Sequence, residues 1–256
     1  MITSNSQKLI VIMVGLPARG KTFLSMRLER YLIWQGYKVK VFNVGSYRRD
    51  ILGTRTSFSG FFNPEKKEFV RERENIAKEC FRDMVTWMDR GGDVGIYDAT
   101  NVTSHRREYL ISECDKNNFN YIFVENICDN AEILNNIIDI KIENSPDYKD
   151  KDKEWSKKDF KERMDYYGQV YSPINDGVLF IKIINFGEKV IRSAKLGDCA
   201  DSLLLDVVEF IGGVRLVKKN IYLVRHGETF FNVEDRIGGD SPLTKNGMNM
   251  AKKLAL

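Results

Sequence analysis

The most constraining feature of this chain is a change of period across one short turn near its start. Leu9-Ile10-Val11-Ile12-Met13-Val14 is a continuous apolar run rich in β-branched residues, which is how a strand buried on both faces reads. It ends at a glycine, and Gly15-Leu16-Pro17-Ala18-Arg19-Gly20-Lys21-Thr22 fits the spacing G-x-x-x-x-G-K-[ST]. From Lys21 the apolar residues Phe23, Leu24, Leu28, Tyr31 and Leu32 recur at helical spacing until Gly36, a helix stop. Strand, glycine loop and helix together present backbone N–H groups to phosphate oxygens at a helix N-terminus. The expectation is a bound nucleoside triphosphate held by Gly15, Ala18, Arg19, Gly20, Lys21 and Thr22. In that role Lys21 bridges the β- and γ-phosphates and the Thr22 hydroxyl ligates Mg²⁺.

The pattern continues as strands alternating with helices. Strands are expected over Lys38 to Val44, Val94 to Asp98, Tyr121 to Glu125 and Val178 to Ile184. Helices are expected over Glu65 to Arg90, Ser104 to Asn117, Ala131 to Ile142, about Lys158 to Tyr167, and Leu203 to Ile211. This alternation predicts an α/β fold, a P-loop NTPase-like parallel sheet flanked by helices. A basic connection over Val214 to Asn220 precedes a fresh strand at Ile221 to Val224, so a domain boundary is placed near residue 218, giving domains over 1–218 and 219–256. The lysine-rich stretch Lys149 to Lys161 is interrupted by Asp150, Asp152, Glu154 and Asp159 and reads as a solvated loop or helix face.

Composition narrows the function classes. A net charge of +4 on 256 residues suits anionic small molecules but is too weak and dispersed for nucleic acid. No stretch approaches the roughly 20 apolar residues of a membrane span, and the apolar run Leu9 to Leu16 lacks the charged lead-in, length and small-residue cleavage site of a signal peptide. The 4 cysteines, Cys80, Cys114, Cys128 and Cys199, lack C-x-x-C spacing and read as reduced thiols. A cytoplasmic protein is expected, with the oligomeric state, a homodimer included, left open.

A nucleotide–metal site wants a carboxylate at the end of a neighbouring strand, and Asp98 closes Val94-Gly95-Ile96-Tyr97. It could hold the metal, accept the proton of an attacking hydroxyl, or simply cap a helix. Arg48-Arg49 and Arg106-Arg107 follow the ends of the second and third strands, where ligands bind in open α/β sheets. Guanidinium forks match phosphate oxygens, so the acceptor is expected to be phosphorylated itself.

Five motifs occur in one order: Gly15 to Thr22, Tyr47-Arg48-Arg49, Asp98-Ala99-Thr100-Asn101, Ser145-Pro146-Asp147-Tyr148 and Arg225-His226-Gly227-Glu228. In these the chain resembles the bifunctional 6-phosphofructo-2-kinase/fructose-2,6-bisphosphatase family, from about Lys8 onward. The resemblance implies transfer of a phosphoryl group from ATP to the 2-hydroxyl of fructose 6-phosphate, giving fructose 2,6-bisphosphate, a regulator of glycolysis. It implies sugar-phosphate contacts from Arg48, Thr100, Arg106, Lys141, Arg163 and Tyr167, with Lys141 also the catalytic lysine beside Lys21 and Asp98. It places Asn136 beside the nucleotide and Cys128 beside the sugar; as a residue Cys128 reads equally well as a small buried hydrophobe. The competing readings are another P-loop small-molecule kinase, acting on a nucleoside or adenylyl sulfate, and a non-catalytic nucleotide-binding regulatory module.

The same resemblance makes His226 a phosphatase nucleophile and Arg225 a phosphate clamp, with Asn232 and Gly238 as substrate contacts. The family pattern needs a second histidine and further arginine and acidic groups downstream. Here the only other histidine is His105, and after Arg225 only Arg236 follows. The run Leu243 to Leu254 reads as an unfinished amphipathic helix, and 219–256 falls short of the roughly 50 residues of a typical small domain. No bisphosphatase activity is expected from these residues.

Overall fold

A computed structural model describes residues 8–175, 177–196, 201–214 and 224–254. The chain divides into two compact units, Met1–Val217 and Lys218–Leu256. The proposed boundary near 218, the basic connection from 215 onward, and positions 221–223 of the last expected strand lie outside the described residues, as does Cys199.

In the first unit β1 (Leu9–Val14) leads through the glycine loop into α1 (Lys21–Trp34), then β2 (Val39–Asn43) and α2 (Val44–Leu52). Next come α3 (Lys67–Asp89), β3 (Val94–Asp98), α4 (Ser104–Lys116), β4 (Asn120–Ile127), α5 (Ala131–Asn144) and α6 (Lys153–Gln169). The unit closes with β5 (Phe180–Ile184), β6 (Lys189–Arg192) and α7 (Ser202–Gly213). The strands form one sheet in the order β2-β3-β1-β4-β5-β6, parallel except that β6 runs antiparallel to β5.

Alternation along β1 explains the layers. Leu9, Val11 and Met13 pack against Leu24, Leu28 and Leu32 of α1 and against Leu203, Leu204, Val207, Val208 and Ile211 of α7. Ile10, Ile12 and Val14 face the other way, onto Cys80, Phe81, Met84 and Met88 of α3 and Leu110 and Cys114 of α4. Every β1 side chain is fully buried, as a central strand covered on both faces requires. A smaller cluster of Ile138, Ile142, Tyr148 and Phe160 joins α5 to α6 beside the glycine loop.

Three features go beyond the expectations. The sheet is not wholly parallel, because the short polar strand β6 folds back on β5 through a tight turn in which Asn185, Phe186 and Gly187 all take positive φ. The segment after β2 is helical at once: the Asn43 side chain accepts from the Ser46 N–H at 2.8 Å and starts α2. The lysine-rich stretch is helix from Lys153, started by Asp152 accepting from the Trp155 N–H at 2.7 Å, and its Ser156 and Asp159 are buried.

In the second unit Thr229 and Asn232 form a capping box at the start of α8 (Phe230–Val233), and α9 (Lys245–Leu254) follows. Gly227 and Gly247 bring two backbones together, so that a Cβ on Gly227 would sit 2.5 Å from the Gly247 carbonyl oxygen. Among the described residues no helix is long and apolar enough to cross a membrane, and Cys80, Cys114 and Cys128 are free and buried.

Candidate functional site

The parallel strands end on one side of the sheet, and there a cavity of about 700 Å³ is lined by Gly20 of the glycine loop, Lys21 and Thr22 that open α1, Asn43 at the end of β2, Asp98 at the end of β3, and Lys141 of α5. The loop has the backbone a phosphate cradle needs. Gly15, Ala18 and Gly20 take φ of 136°, 58° and 79°, and α1 starts without any side-chain cap. The Gly15 N–H donates to the Thr100 carbonyl at 2.9 Å, tying the loop to the turn after β3. A Cβ on Gly15 would collide with the Asn126 carbonyl oxygen, and one on Gly20 would lie 2.5 Å from the Phe186 ring. Gly15→Ala is therefore expected to destabilise the chain by about 1–3 kcal/mol and weaken nucleotide binding. Thermal melting with and without the non-hydrolysable triphosphate Mg-AMPPNP measures both effects.

Lys21 donates to the Leu16 carbonyl at 2.7 Å and is buried, which pulls its ammonium down to about 7 although the Asp98 carboxylate opposes the shift. Asp98 is 2% exposed and accepts from Asn43 Nδ2 at 2.5 Å. Asn43 and Asp98 are register partners across β2 and β3, so strand pairing itself brings the amide to the carboxylate. Lys141 lies in the last turn of α5, where burial first and the Arg163 charge second lower its pKa.

The acceptor side of the cavity is cationic and aromatic. Arg48, Arg106, Arg163, Tyr167, Thr100 and Phe62 line it. Arg106 is held by Glu74, with Nε to Oε2 at 2.7 Å and Nη2 to Oε1 at 2.5 Å. Arg48 donates through Nη1 to Thr56 and through Nη2 to both oxygens of Asp147, at 2.7 and 2.6 Å. Arg163 lies with its guanidinium carbon 3.8 Å from the Phe62 ring centroid, and the Tyr167 ring packs against the same Phe62 ring at 5.8 Å between centroids.

Not every expected residue gathers here. Arg107 is buried and donates to the carbonyls of Asn101 and Val102, both at 3.1 Å, and of Pro173, so it braces the backbone and is no phosphate ligand. Arg19 is buried and lines the cavity, but its Nη1 donates to the Pro17 carbonyl at 3.1 Å within the loop itself. Asn136 is exposed on α5, and neither it nor Cys128 lines the cavity. Cys128 is buried, with Sγ 3.7 Å from the Asn130 carbonyl oxygen. Sequence reasoning missed Asn43, Glu74 and Phe62. Only Asn43 carried a readable signal, being a polar residue next to the end of the strand expected over Lys38 to Val44.

In the second unit Arg225 and His226 are exposed, and His226 Nδ1 lies 2.8 Å from the Gly227 carbonyl oxygen. The Asn232 side chain is engaged in the capping box, accepting from the Thr229 N–H at 3.0 Å. Gly238 sits in a left-handed turn with φ 86°. Glu228 holds Thr244, whose hydroxyl donates to Oε1 at 2.5 Å.

The fold is shared with a solved structure titled as a kinase candidate from Chloroflexus aurantiacus, with a TM-score of 0.50 at 15% identity over 80% of this chain and 98% of that one. In sequence the chain is 40% identical to the 6-phosphofructo-2-kinase/fructose-2,6-bisphosphatase of Caenorhabditis elegans, over 96% of this chain and 55% of that protein. It is also 40% identical to the fructose-2,6-bisphosphatase of Saccharomyces cerevisiae, over 98% of this chain and 56% of that protein. The chain thus spans about half the length of these curated relatives. The profile of the histidine phosphatase superfamily, branch 1, matches residues 221–256. The 6-phosphofructo-2-kinase profile matches residues 1–198, most of the first unit with its glycine loop, its Asp98 and its arginine-lined cavity, and the chain belongs to that family.

Proposed function

We propose that the first unit phosphorylates fructose 6-phosphate at its 2-hydroxyl with ATP, giving fructose 2,6-bisphosphate. The observation that carries this reading is a single cavity of about 700 Å³ with two anion-binding ends: a triphosphate cradle at the α1 N-terminus and a separate arginine set on α2, α4 and α6. A kinase with an uncharged acceptor has no use for the second end.

The residues fit the nucleotide and its metal. Gly15, Ala18 and Gly20 hold the positive-φ backbone of a cradle, where a Cβ on Gly15 would strike the Asn126 carbonyl and one on Gly20 the Phe186 ring, and the uncapped α1 N-terminus leaves N–H donors for phosphate. Thr22 and Asp98 offer the hard oxygen donors that Mg²⁺ prefers. When bound, Mg²⁺ would neutralise phosphate charge and orient the triphosphate.

Phosphoryl transfer goes through a loose transition state, so the protein mainly positions two substrates and compensates charge on the equatorial oxygens. In this reading Lys21 leaves the Leu16 carbonyl for the phosphates. Lys141 approaches from α5 on the other side of the transferred group. Arg48, Arg106, Arg163 and Tyr167 hold the sugar phosphate so that the 2-hydroxyl faces the γ-phosphate. Asp98 holds the metal side and counters the lysine charges. The free, buried thiols Cys80, Cys114 and Cys128 agree with a cytoplasmic setting.

The direct experiment incubates the 256-residue polypeptide with Mg-ATP and fructose 6-phosphate and assays acid-labile fructose 2,6-bisphosphate. Turnover of a nucleoside or adenylyl sulfate instead would replace this acceptor by another, and nucleotide binding without turnover of any acceptor would sink the kinase reading. For the second unit we propose that this polypeptide releases no phosphate from fructose 2,6-bisphosphate, since its other histidine, His105, belongs to α4 of the first unit. Release that is lost in His226→Ala would overturn that expectation.

A further inference from the structure

Around Asp147 the structure gathers more opposite charge than a single carboxylate needs. The side chain is 3% exposed. Its Oδ1 accepts from Arg48 Nη2 at 2.7 Å and from the Ser57 hydroxyl at 2.8 Å; its Oδ2 accepts from Arg48 Nη2 at 2.6 Å and Arg163 Nη1 at 3.4 Å. Arg49 Nη1 lies 3.9 Å from Oδ2. These partners come from α2, from the segment between α2 and α3, and from α6. The turn that carries Asp147 is itself set by Ser145, whose Oγ accepts from the Asp147 N–H at 3.3 Å.

Two further observations show what this arrangement leaves over. Arg48 has both terminal nitrogens committed, to Thr56 and to Asp147, yet its buried Nε has no hydrogen-bond partner, and the Nε of Arg163 has none either. An unpartnered buried donor costs about 1–3 kcal/mol, so two of them on side chains that line one cavity mark a place kept for an acceptor. The second observation is Phe62, 4% exposed, with the Arg163 guanidinium carbon 3.8 Å and the Arg48 guanidinium carbon 5.4 Å from its ring centroid. The two guanidinium groups are thus gripped between one carboxylate and one aromatic ring, and their mutual repulsion is offset on both sides.

We propose that Asp147 and Phe62 are positioning residues for the acceptor's phosphate: they fix the Arg48 and Arg163 guanidinium groups so that their free Nε–H donors meet one phosphoryl group. This rests on the reading of the cavity as a sugar-phosphate site. It carries a prediction of sign. A carboxylate inside an anion site repels the anion, so if charge alone mattered, Asp147→Asn would tighten phosphate binding. If position matters, the same change releases two arginines into conformations that no longer converge, and binding weakens.

The test titrates the 256-residue chain, its Asp147→Asn and its Phe62→Leu variants, with inorganic phosphate, fructose 6-phosphate and Mg-AMPPNP separately, and records thermal midpoints. The expected result is about a 10-fold loss of affinity for both phosphate and fructose 6-phosphate in Asp147→Asn, with Mg-AMPPNP affinity within about twofold of the parent. Phe62→Leu keeps the carboxylate and most of the apolar volume, and is expected to lose about threefold to 10-fold for the same two probes. It decides the matter should Asp147→Asn fail to fold. In the kinase assay the loss falls on KM for the acceptor and not on KM for ATP. Tighter or unchanged phosphate binding in the variants overturns the proposal, and so does a parallel loss of nucleotide affinity, which would mean a general structural role. If both variants weaken inorganic phosphate but the parent binds fructose 6-phosphate no better than phosphate, the positioning role stands and the sugar assignment falls.

Discussion

Replacing Lys21 by methionine is expected to lower ATP-dependent turnover of fructose 6-phosphate by about 1,000-fold, roughly 4 kcal/mol of transition-state stabilisation. The ammonium is the only cation on the first turn of α1, and methionine keeps its length and apolar stem while removing the charge. The same residue gives the site a pH signature. Burial lowers the Lys21 pKa from 10.5 to about 7, against the pull of Asp98. Between those two values the unfolded chain holds a proton that the folded chain has lost. The empty chain's stability therefore rises with pH through that window, and the cost of burying the charge is felt in full below pH 7. Triphosphate oxygens arriving beside the ammonium favour its charged form and raise the pKa again. Nucleotide binding at about pH 8 is accordingly expected to take up close to one proton in the parent chain and none in Lys21→Met. Calorimetry in buffers of different ionisation enthalpy reads this directly, and a parent chain with zero uptake would show that Lys21 does not meet the phosphates.

The second large effect is expected from Asp98→Asn, a loss of about 100-fold to 1,000-fold in kcat with little change in nucleotide affinity. Asp98 is buried among Lys21, Lys141 and the Asn43 amide, and its charge is the largest influence opposing the desolvation of Lys21. With an asparagine there the lysine loses its counter-charge, and the Lys21 proton should be lost at lower pH in the empty chain. Comparing Mg²⁺ with Mn²⁺ separates the two roles that Asp98 can take. Partial recovery of the variant in Mn²⁺ supports metal positioning, whereas an equal deficit in both metals, together with loss of the acidic limb of the kcat profile, supports proton acceptance.

Much of the site was legible because its parts follow from local rules. A buried β-branched run, a glycine loop and an amphipathic helix are joined as β1, cradle and α1, and the apolar run ending in Asp98 reads as a strand, although its pairing with β1 is set by the tertiary structure. The arginines show where this reasoning stops. Arg106 and Arg107 are neighbours in sequence, but on a helix they point about 100° apart. Arg106 meets Glu74 of α3 across the cavity, while Arg107 turns to the carbonyls of Asn101, Val102 and Pro173. Likewise β6 pairs with β5 because the left-handed turn at Asn185 to Gly187 folds it back, and Asn185 takes the Asp129 N–H at 3.1 Å. No hydrophobic period announces such a turn.

By itself, then, the sequence determined the phosphate loop, the strand-and-helix order around it, and the residues Lys21, Thr22 and Asp98, since each depends on spacing within a few residues. Tertiary structure alone decided which cations face the cavity, that Arg48 is committed to Asp147, and that Arg163 lies on Phe62. The physical reason is separation along the chain: Arg48 and Asp147 stand 99 residues apart. Contacts of that kind are set by how α2, α5 and α6 pack against the sheet, and no local pattern in the chain encodes them.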